Sequence, residues 1–205
     1  MGLYAKHVLP RLLHASCGNH ELDALRAEVC APLAGRVVEI GFGSGSNMPF
    51  YPDAVEAVDA VEPSGTAWKL AGPRLAASPV PVRRSGTDGQ ALPYPDACFD
   101  AALSTWTLCT IEDPALALAE LRRVLVPGGR LLFLEHGLAP DPEVRRLQHR
   151  IEPWQKRLAG GCHLTRRPVE LLEDAGFEIT AVECFYQPRV PRFEGAVCRG
   201  TAVSP

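Results

Sequence analysis

The sequence predicts an open α/β sheet of seven strands, mostly parallel, with helices on both faces and the last strand antiparallel. Three observations carry that reading. Short β-branched runs alternate with helix-compatible segments, which is the pattern of βαβ units. A glycine-rich turn at residues 41–45, "GFGSG", follows the first run directly. Two more strand-like runs lie close together near the C-terminal end.

In chain order the strands are read at 36–41 ("RVVEIG"), 55–62 ("VEAVDAVE"), 80–84 ("VPVRR"), 99–105 ("FDAALST") and 130–135 ("RLLFLE"). The final pair is "FEITAVE" and "FEGAVCR". Runs this apolar suit a parallel sheet covered on both faces. The clearest helix spans about Pro114 to Leu125, with Asp113 as N-cap, Pro114 in the first turn, and Leu116, Ala119, Glu120 and Arg123 at helical spacing. It stops at Pro127-Gly128-Gly129, a turn that feeds the next strand. Residues 141–158 and 166–175 read as two further helices, the second capped by Thr165. Another helix is expected to begin just after the glycine loop.

The chain has 205 residues, 46% of them hydrophobic and 22% charged, which fits one domain with a substantial core. Within it, 1–34 reads as an N-terminal lid, 35–137 as the ligand-binding core, 138–176 as an acceptor-pocket insertion with its helix, and 177–205 as a C-terminal strand pair. The net charge of −3 is spread through the chain and offers no footprint for nucleic acid. Lys6, His7, Pro10, Arg11 and His14 interrupt the apolar start, so neither a signal peptide nor a membrane span is expected, and a cytoplasmic location is. Seven cysteines without a C-x-x-C pair give no zinc or redox motif. Most are read as small buried hydrophobes, and no metal ion is expected.

The glycine loop, Gly41-Phe42-Gly43-Ser44-Gly45, differs from the dinucleotide fingerprint because its third glycine comes one residue early. Glu39 precedes it by two residues, and an acid there repels a pyrophosphate but attracts an amino or sulfonium cation. That points to S-adenosylmethionine, which has no phosphate. Glu62, followed by Pro63, ends the second strand about twenty residues on, where an acid accepts from both ribose hydroxyls. Asp59 is the runner-up for that role. Asp88 and Gly89 sit where a carboxylate and a backbone N–H can read an adenine ring, and Asn47, Ser104 and Thr105 complete the candidate cofactor residues.

Four stretches, "VVEIGFGSGSN", "VEPS", "SGTDGQALPYPDACFDAALS" and "ELRRVLVPGGRLLFLEHG", resemble in that order the motifs of class I S-adenosylmethionine-dependent methyltransferases, across roughly 35–137. The resemblance implies the Rossmann-like fold of that class, S-adenosylmethionine as donor and S-adenosylhomocysteine as product. "GSGSNMPFYP", "STWTLCTIED", "LEHG" and "EPWQKRLAGGCHLTR" look like the branch that includes mammalian thiol S-methyltransferases, whose bacterial relatives often carry a phospholipid N-methyltransferase label. The mammalian members have an N-terminal membrane anchor, which is not expected here.

Methyl transfer is an in-line displacement, so the protein has to align donor and acceptor and exclude water. The acceptor is expected over the ends of the fourth and fifth strands, near Trp106. His136 is the candidate general base because its pKa can lie near neutrality. Tyr4, Trp154 and His163 join Trp106 and His136 as candidate acceptor-pocket residues, with Leu147, Ile151 and Leu158 on the same helical stripe as Trp154. Cys162 and His163 are adjacent, so their side chains point apart, and no carboxylate is spaced to orient the histidine; the segment is read as a lid loop. The expected reaction is methyl transfer to a small, partly apolar acceptor, thiol first, then a phospholipid amine or another N or O acceptor, then a quinone-type carbon. A non-catalytic S-adenosylmethionine-binding module is the reading of another class. The chain is expected to act as a monomer or homodimer.

Overall fold

The computed structural model describes residues 3–205. Seven strands form one sheet: β1 (Gly35–Ile40), β2 (Val55–Val61), β3 (Val82–Gly86), β4 (Phe99–Thr105), β5 (Leu125–His136), β6 (Glu178–Tyr186) and β7 (Ala196–Val203). Their order is β3-β2-β1-β4-β5-β7-β6. The first five run parallel, and β7 is inserted antiparallel between β5 and β6. The predicted fold class is the observed one.

Around the sheet lie α1 (Leu9–Cys17), α2 (Asp23–Cys30), α3 (Gly65–Leu70), α4 (Gly72–Ala77), α5 (Pro114–Val124), α6 (Pro142–Leu158), α7 (Pro168–Asp174) and the single turn α8 (Arg192–Gly195). Side chains alternate across each strand, and both faces are buried. Val37, Leu103, Leu132 and Leu134 pack with Val29 and Cys30 of α2 on one face. Val38, Leu131 and Phe133 pack with Leu118, Leu121 and Val124 of α5 and Leu172 of α7 on the other. This explains why the strands read as continuous apolar runs rather than as alternations.

Several boundaries differ from the sequence reading. No α-helix follows the glycine loop: only a 3₁₀ turn forms at Met48–Phe50, because Pro52 holds Tyr51 extended at ψ 124°. The N-cap of α7 is Arg167, not Thr165. Pro168 drives Arg167 out of the helical region, and the Thr165 amide donates to Glu152 instead. Asp113 does cap α5, accepting from the amides of Ala115 and Leu116. The buried face of α5 is Ala117, Leu118, Leu121 and Val124, whereas Leu116 is exposed. The Pro127-Gly128-Gly129 turn lies inside β5, stitched to the C-terminal end by hydrogen bonds between Gly128, Gly129 and Ser204.

Cys184 and Cys198 are also corrected. They are register partners on β6 and β7 and form a disulfide, a pairing that no spacing shows before the register is known. Cys30, Cys109 and Cys162 are buried thiols as expected.

Helix α6 is held unlike α5. Gln148 is its buried residue, and its side-chain amide bonds Ala139 N, Gly137 O and Phe193 O. No described helix is long and apolar enough to cross a membrane.

Candidate active site

Strands β1, β2, β4 and β5 end together, with Ile40 opposite Val61 and Ser104, and Thr105 opposite Leu134. Between β1 and β4 the strand order reverses, which is the crevice where open α/β sheets bind ligands. The glycine loop occupies that crevice. Gly41 has φ +66°, and a Cβ there would strike the Thr107 side chain. Gly43 has φ +60° with nothing closer than 3.8 Å, so its missing side chain leaves room for a ligand against the backbone.

Glu62 lies directly behind the loop, buried, and accepts from Gly43 N at 2.7 Å and Ser64 N at 2.6 Å. Burial pushes its carboxyl up, against those two amides. A carboxylate has about four acceptor positions, so two remain. Pro63 is exposed at the turn. Asp59, the alternative, faces away, bound by Arg83 and by Ser85 Oγ at 2.8 Å.

Glu39 is fully buried and takes hydrogen bonds from Asn47 Nδ2 at 2.9 Å and from the Tyr51 hydroxyl. Burial pushes its carboxyl up to about 7, although Tyr51, Asn47 and Arg26 all favour the charged form. Asn47 also donates to Thr105 Oγ1 and accepts from Arg26. Arg26 is itself buried, reaches the Cys17 carbonyl at 2.7 Å, and lies 4.8 Å over the Trp106 ring. His14 Nδ1 meets Ser44 Oγ at 2.8 Å. The N-terminal helices are thereby fastened to the glycine loop.

Gly89 is buried against Ile40 and Ile111, while Asp88 is exposed and accepts from the backbone and side chain of Gln90. Gly45 sits at φ +73° against Met48 and Phe42. Ser104 is fully buried, and its hydroxyl donates to Glu135 at 2.7 Å, so the hydroxyl faces a carboxylate rather than the crevice.

Glu135 organises the end of the crevice beyond β4 and β5. It is completely buried and accepts from Ser104 Oγ and from the amides of Thr107, Leu108 and Cys109. Burial pushes its carboxyl up, while all four donors favour the charged form. Those contacts fix the segment after β4 and with it Trp106, whose ring centroid is 6.3 Å from that of His136. His136 Nδ1 faces the sulfurs of Cys109 and Cys162, each at 3.6 Å. Burial alone lowers the His136 pKa, but the Cys109 sulfur, Glu135 and Glu194 outweigh it and raise it.

The remaining pocket candidates lie apart from this centre. Tyr4 is exposed and donates to the Leu158 carbonyl at 2.8 Å. Trp154 is 64% exposed on the outer side of α6, so it lines no pocket here; Leu147 and Leu158 share that exposed stripe, and Ile151 packs inward. Of that stripe only Ile151 is turned towards Cys109, Cys162 and Leu164. Cys162 and His163 point apart as expected. A carboxylate does orient the histidine, however: Glu152 Oε1 lies 3.4 Å from His163 Nδ1, brought there by the packing of α6 on the lid loop.

Residues 38–133 match a methyltransferase domain. Over 167 residues the chain is 32% identical to the thiol S-methyltransferase TMT1B of Rattus norvegicus, covering 74% of this chain and 63% of the relative. It is 35% identical over 133 residues to the demethylmenaquinone methyltransferase of Deinococcus radiodurans, covering 62% of this chain and 54% of the relative. Less than two thirds of either relative is therefore spanned. A crystal structure of a S-adenosylmethionine-dependent methyltransferase from Thermotoga maritima, titled a possible histamine N-methyltransferase, superposes with TM-score 0.66 at 25% identity, over 95% of this chain and 94% of that one. The fold is that of the class I S-adenosylmethionine-dependent methyltransferases.

Four groups of the site escaped the sequence reading: Arg26, Tyr51, Cys109 and Glu135. Tyr51, Cys109 and Glu135 lie within stretches that carry the resemblance, but no spacing assigns any of the four a role. Arg26 reaches Asn47 from α2, Tyr51 reaches Glu39 from beyond the 3₁₀ turn, and Cys109 is a lone cysteine until the fold places it beside Cys162. Glu135 alone left a signal, because an acid inside the apolar run "LLFLE" has to be paired when buried.

Proposed function

We propose that the chain transfers the methyl group of S-adenosylmethionine to a small, partly apolar thiol. The family supplies the donor, and the residues fit it. Gly43 leaves the backbone open, Glu62 keeps two acceptor positions for the ribose hydroxyls, and Glu39 anchors Asn47 and Tyr51 beneath the loop. Bound there, S-adenosylmethionine supplies an electrophilic methyl carbon at the crevice.

One observation carries the choice of acceptor: Glu135, the carboxylate at the end of β5, is completely buried and already accepts from four protein donors, three of them on Oε1. It is not free to take a proton from substrate. His136 is then the remaining titrating group of this end beside the two thiols, and a near-neutral imidazole suits a thiol far better than an alcohol. Trp106 and the apolar lining of Leu164 and Ile151 suit a partly apolar substituent. The similarity to a thiol S-methyltransferase supports the same choice. A quinone-type carbon acceptor is the second reading, favoured by the similarity to a demethylmenaquinone methyltransferase.

Labelled-methyl transfer to alkyl thiols, sulfide, phosphatidylethanolamine, phenols and quinones tests the acceptor. Thiols are expected to take label; label appearing only on amines, lipids or quinones overturns the thiol reading. Calorimetry tests the donor, with micromolar S-adenosylmethionine binding and no NADH binding expected. Binding without transfer to any acceptor would make the chain a regulatory module instead.

A further inference from the structure

Cys109, His136 and Cys162 come from the loop after β4, the end of β5 and the lid loop after α6, and converge on one point. Their ligand atoms form a near-equilateral triangle: Sγ to Sγ is 3.8 Å, and each Sγ to His136 Nδ1 is 3.6 Å. Those edges select a chemistry. A tetrahedral zinc ion with Zn–S of about 2.3 Å and Zn–N of about 2.0–2.1 Å sets its sulfurs about 3.8 Å apart and each sulfur about 3.6 Å from the nitrogen. We propose that Cys109, Cys162 and His136 hold a zinc(II)-class cation, whose open fourth position receives the acceptor sulfur as thiolate.

The surroundings fit a built site. Both cysteines are buried, at 2% and 5% exposure, with Leu164, Ile151 and Ala159 around them. Two thiolates and a neutral imidazole cancel the charge of a divalent ion, so the complex is neutral in that apolar shell. Without an ion, two thiols and an imidazole are gathered there with only weak sulfur hydrogen bonds to join them. The supporting shell is in place too. The Cys109 amide donates to Glu135 at 3.2 Å, and the Cys109 carbonyl accepts from His163 N at 2.7 Å, which ties the two cysteine loops together. Arg166 holds the Leu108 and Ile111 carbonyls on either side. Soft sulfur and imidazole donors in this geometry select zinc over magnesium or calcium. Among the described residues no fourth His, Cys, Asp or Glu joins the group, and three protein ligands with one open position characterise catalytic rather than structural zinc.

The acceptor role rests on the thiol reading above; the metal site does not. In that role His136 serves as a ligand instead of a base, and the incoming thiol takes the fourth position and loses its proton to solvent. A sulfur lone pair then forms the new S–CH₃ bond, the methyl–sulfonium bond breaks, and its electron pair stays on the sulfur of S-adenosylhomocysteine. The neutral thioether product is a weak ligand and leaves.

The test is metal analysis of the full chain purified under reducing conditions, before and after loading with zinc. About one zinc per chain is expected, falling at least tenfold in Cys109→Ser, Cys162→Ser and His136→Ala but not in Cys98→Ser, with calorimetric S-adenosylmethionine binding as the check that each variant is folded. Cobalt(II) in place of zinc is expected to give the intense near-ultraviolet absorption of cobalt–thiolate bonds. A wild-type protein that takes up neither ion, or in which mass spectrometry finds a Cys109–Cys162 disulfide under those conditions, overturns the site even if every variant misfolds. Thiol methylation at an undiminished rate by a metal-free protein overturns the metal's acceptor role and leaves the thiol reading standing. A stoichiometric zinc in a protein that labels only amines or quinones does the reverse.

Discussion

The end of the crevice proposed for the donor and the end proposed for the acceptor are built in opposite ways. The donor end is local: Glu39, the glycine loop, Asn47 and Tyr51 fall within thirteen residues, and Glu62 enters from the neighbouring strand. The acceptor end is assembled from afar, since Cys109, His136 and Cys162 are separated by 27, 26 and 53 positions. Contiguous geometry, a turn with fixed φ values beside an acid, leaves a sequence motif. Convergent geometry leaves single residues whose meaning depends on the fold.

The largest expected effect breaks the acceptor end alone. Glu135→Ala strands one hydroxyl and three amides in a dry interior, at about 1–3 kcal/mol each. A loss on the order of 5 kcal/mol is expected in denaturant unfolding, a large share of a typical domain's stability of about 5–15 kcal/mol. If the loss stays below about 1 kcal/mol, the loop after β4 is held by something other than Glu135, and the acceptor end is not the convergent structure described here.

A paired experiment separates the two ends in function. Glu62→Ala removes the carboxylate proposed to take both ribose hydroxyls, each charge-assisted hydrogen bond being worth about 1.5–3 kcal/mol. S-adenosylmethionine affinity is expected to fall at least about 100-fold in calorimetry. His136→Ala is expected to leave that affinity within about twofold and to slow transfer instead. Equal losses of affinity in the two variants would erase the distinction between donor and acceptor ends.

That division also marks what the sequence made legible. The sheet, its antiparallel last strand and the α5 cap followed from apolar periodicity and from Asp113-Pro114, because both signals are local. The helix expected after the glycine loop did not form, since Pro52 acts on Tyr51 from beyond the window in which the loop was read. Trp154 and its stripe had the right spacing for a buried face, yet α6 is anchored through Gln148. Spacing alone fixes which residues share a face and leaves open which face the protein covers. Cys162 was weighed against its neighbour His163, when its actual partners lay 53 and 26 residues upstream.

Protonation sharpens the donor end further. The Glu39 carboxyl is raised by burial from 4.5 to about 7 in the folded chain. Below about 4.5 it is protonated whether the chain is folded or not, and its effect on stability is nil. As pH rises towards 7 the unfolded chain ionises first, so stability is lost through that window, by on the order of 3 kcal/mol at most. Burial raises Glu62 and Glu135 in the same direction. Glu39→Gln is expected to flatten part of the decline when unfolding free energy is followed from pH 4.5 to 7.5. An undiminished slope would show that Glu39 is ionised in the folded protein.

The smallest effect belongs to Trp154. A large aromatic side chain in a core costs about 3–5 kcal/mol when truncated to alanine, but this ring is 64% exposed, with Arg157 6.0 Å from its centroid. Surface substitutions of this kind stay within about 0.5 kcal/mol. Trp154→Ala is therefore expected to leave unfolding free energy and thiol transfer unchanged. The equivalent measurement on Trp106, which sits between Arg26 and His136, is expected to lower transfer. A loss of transfer in Trp154→Ala would bring α6 into the acceptor end after all, with its outer face turned inward when substrate is bound.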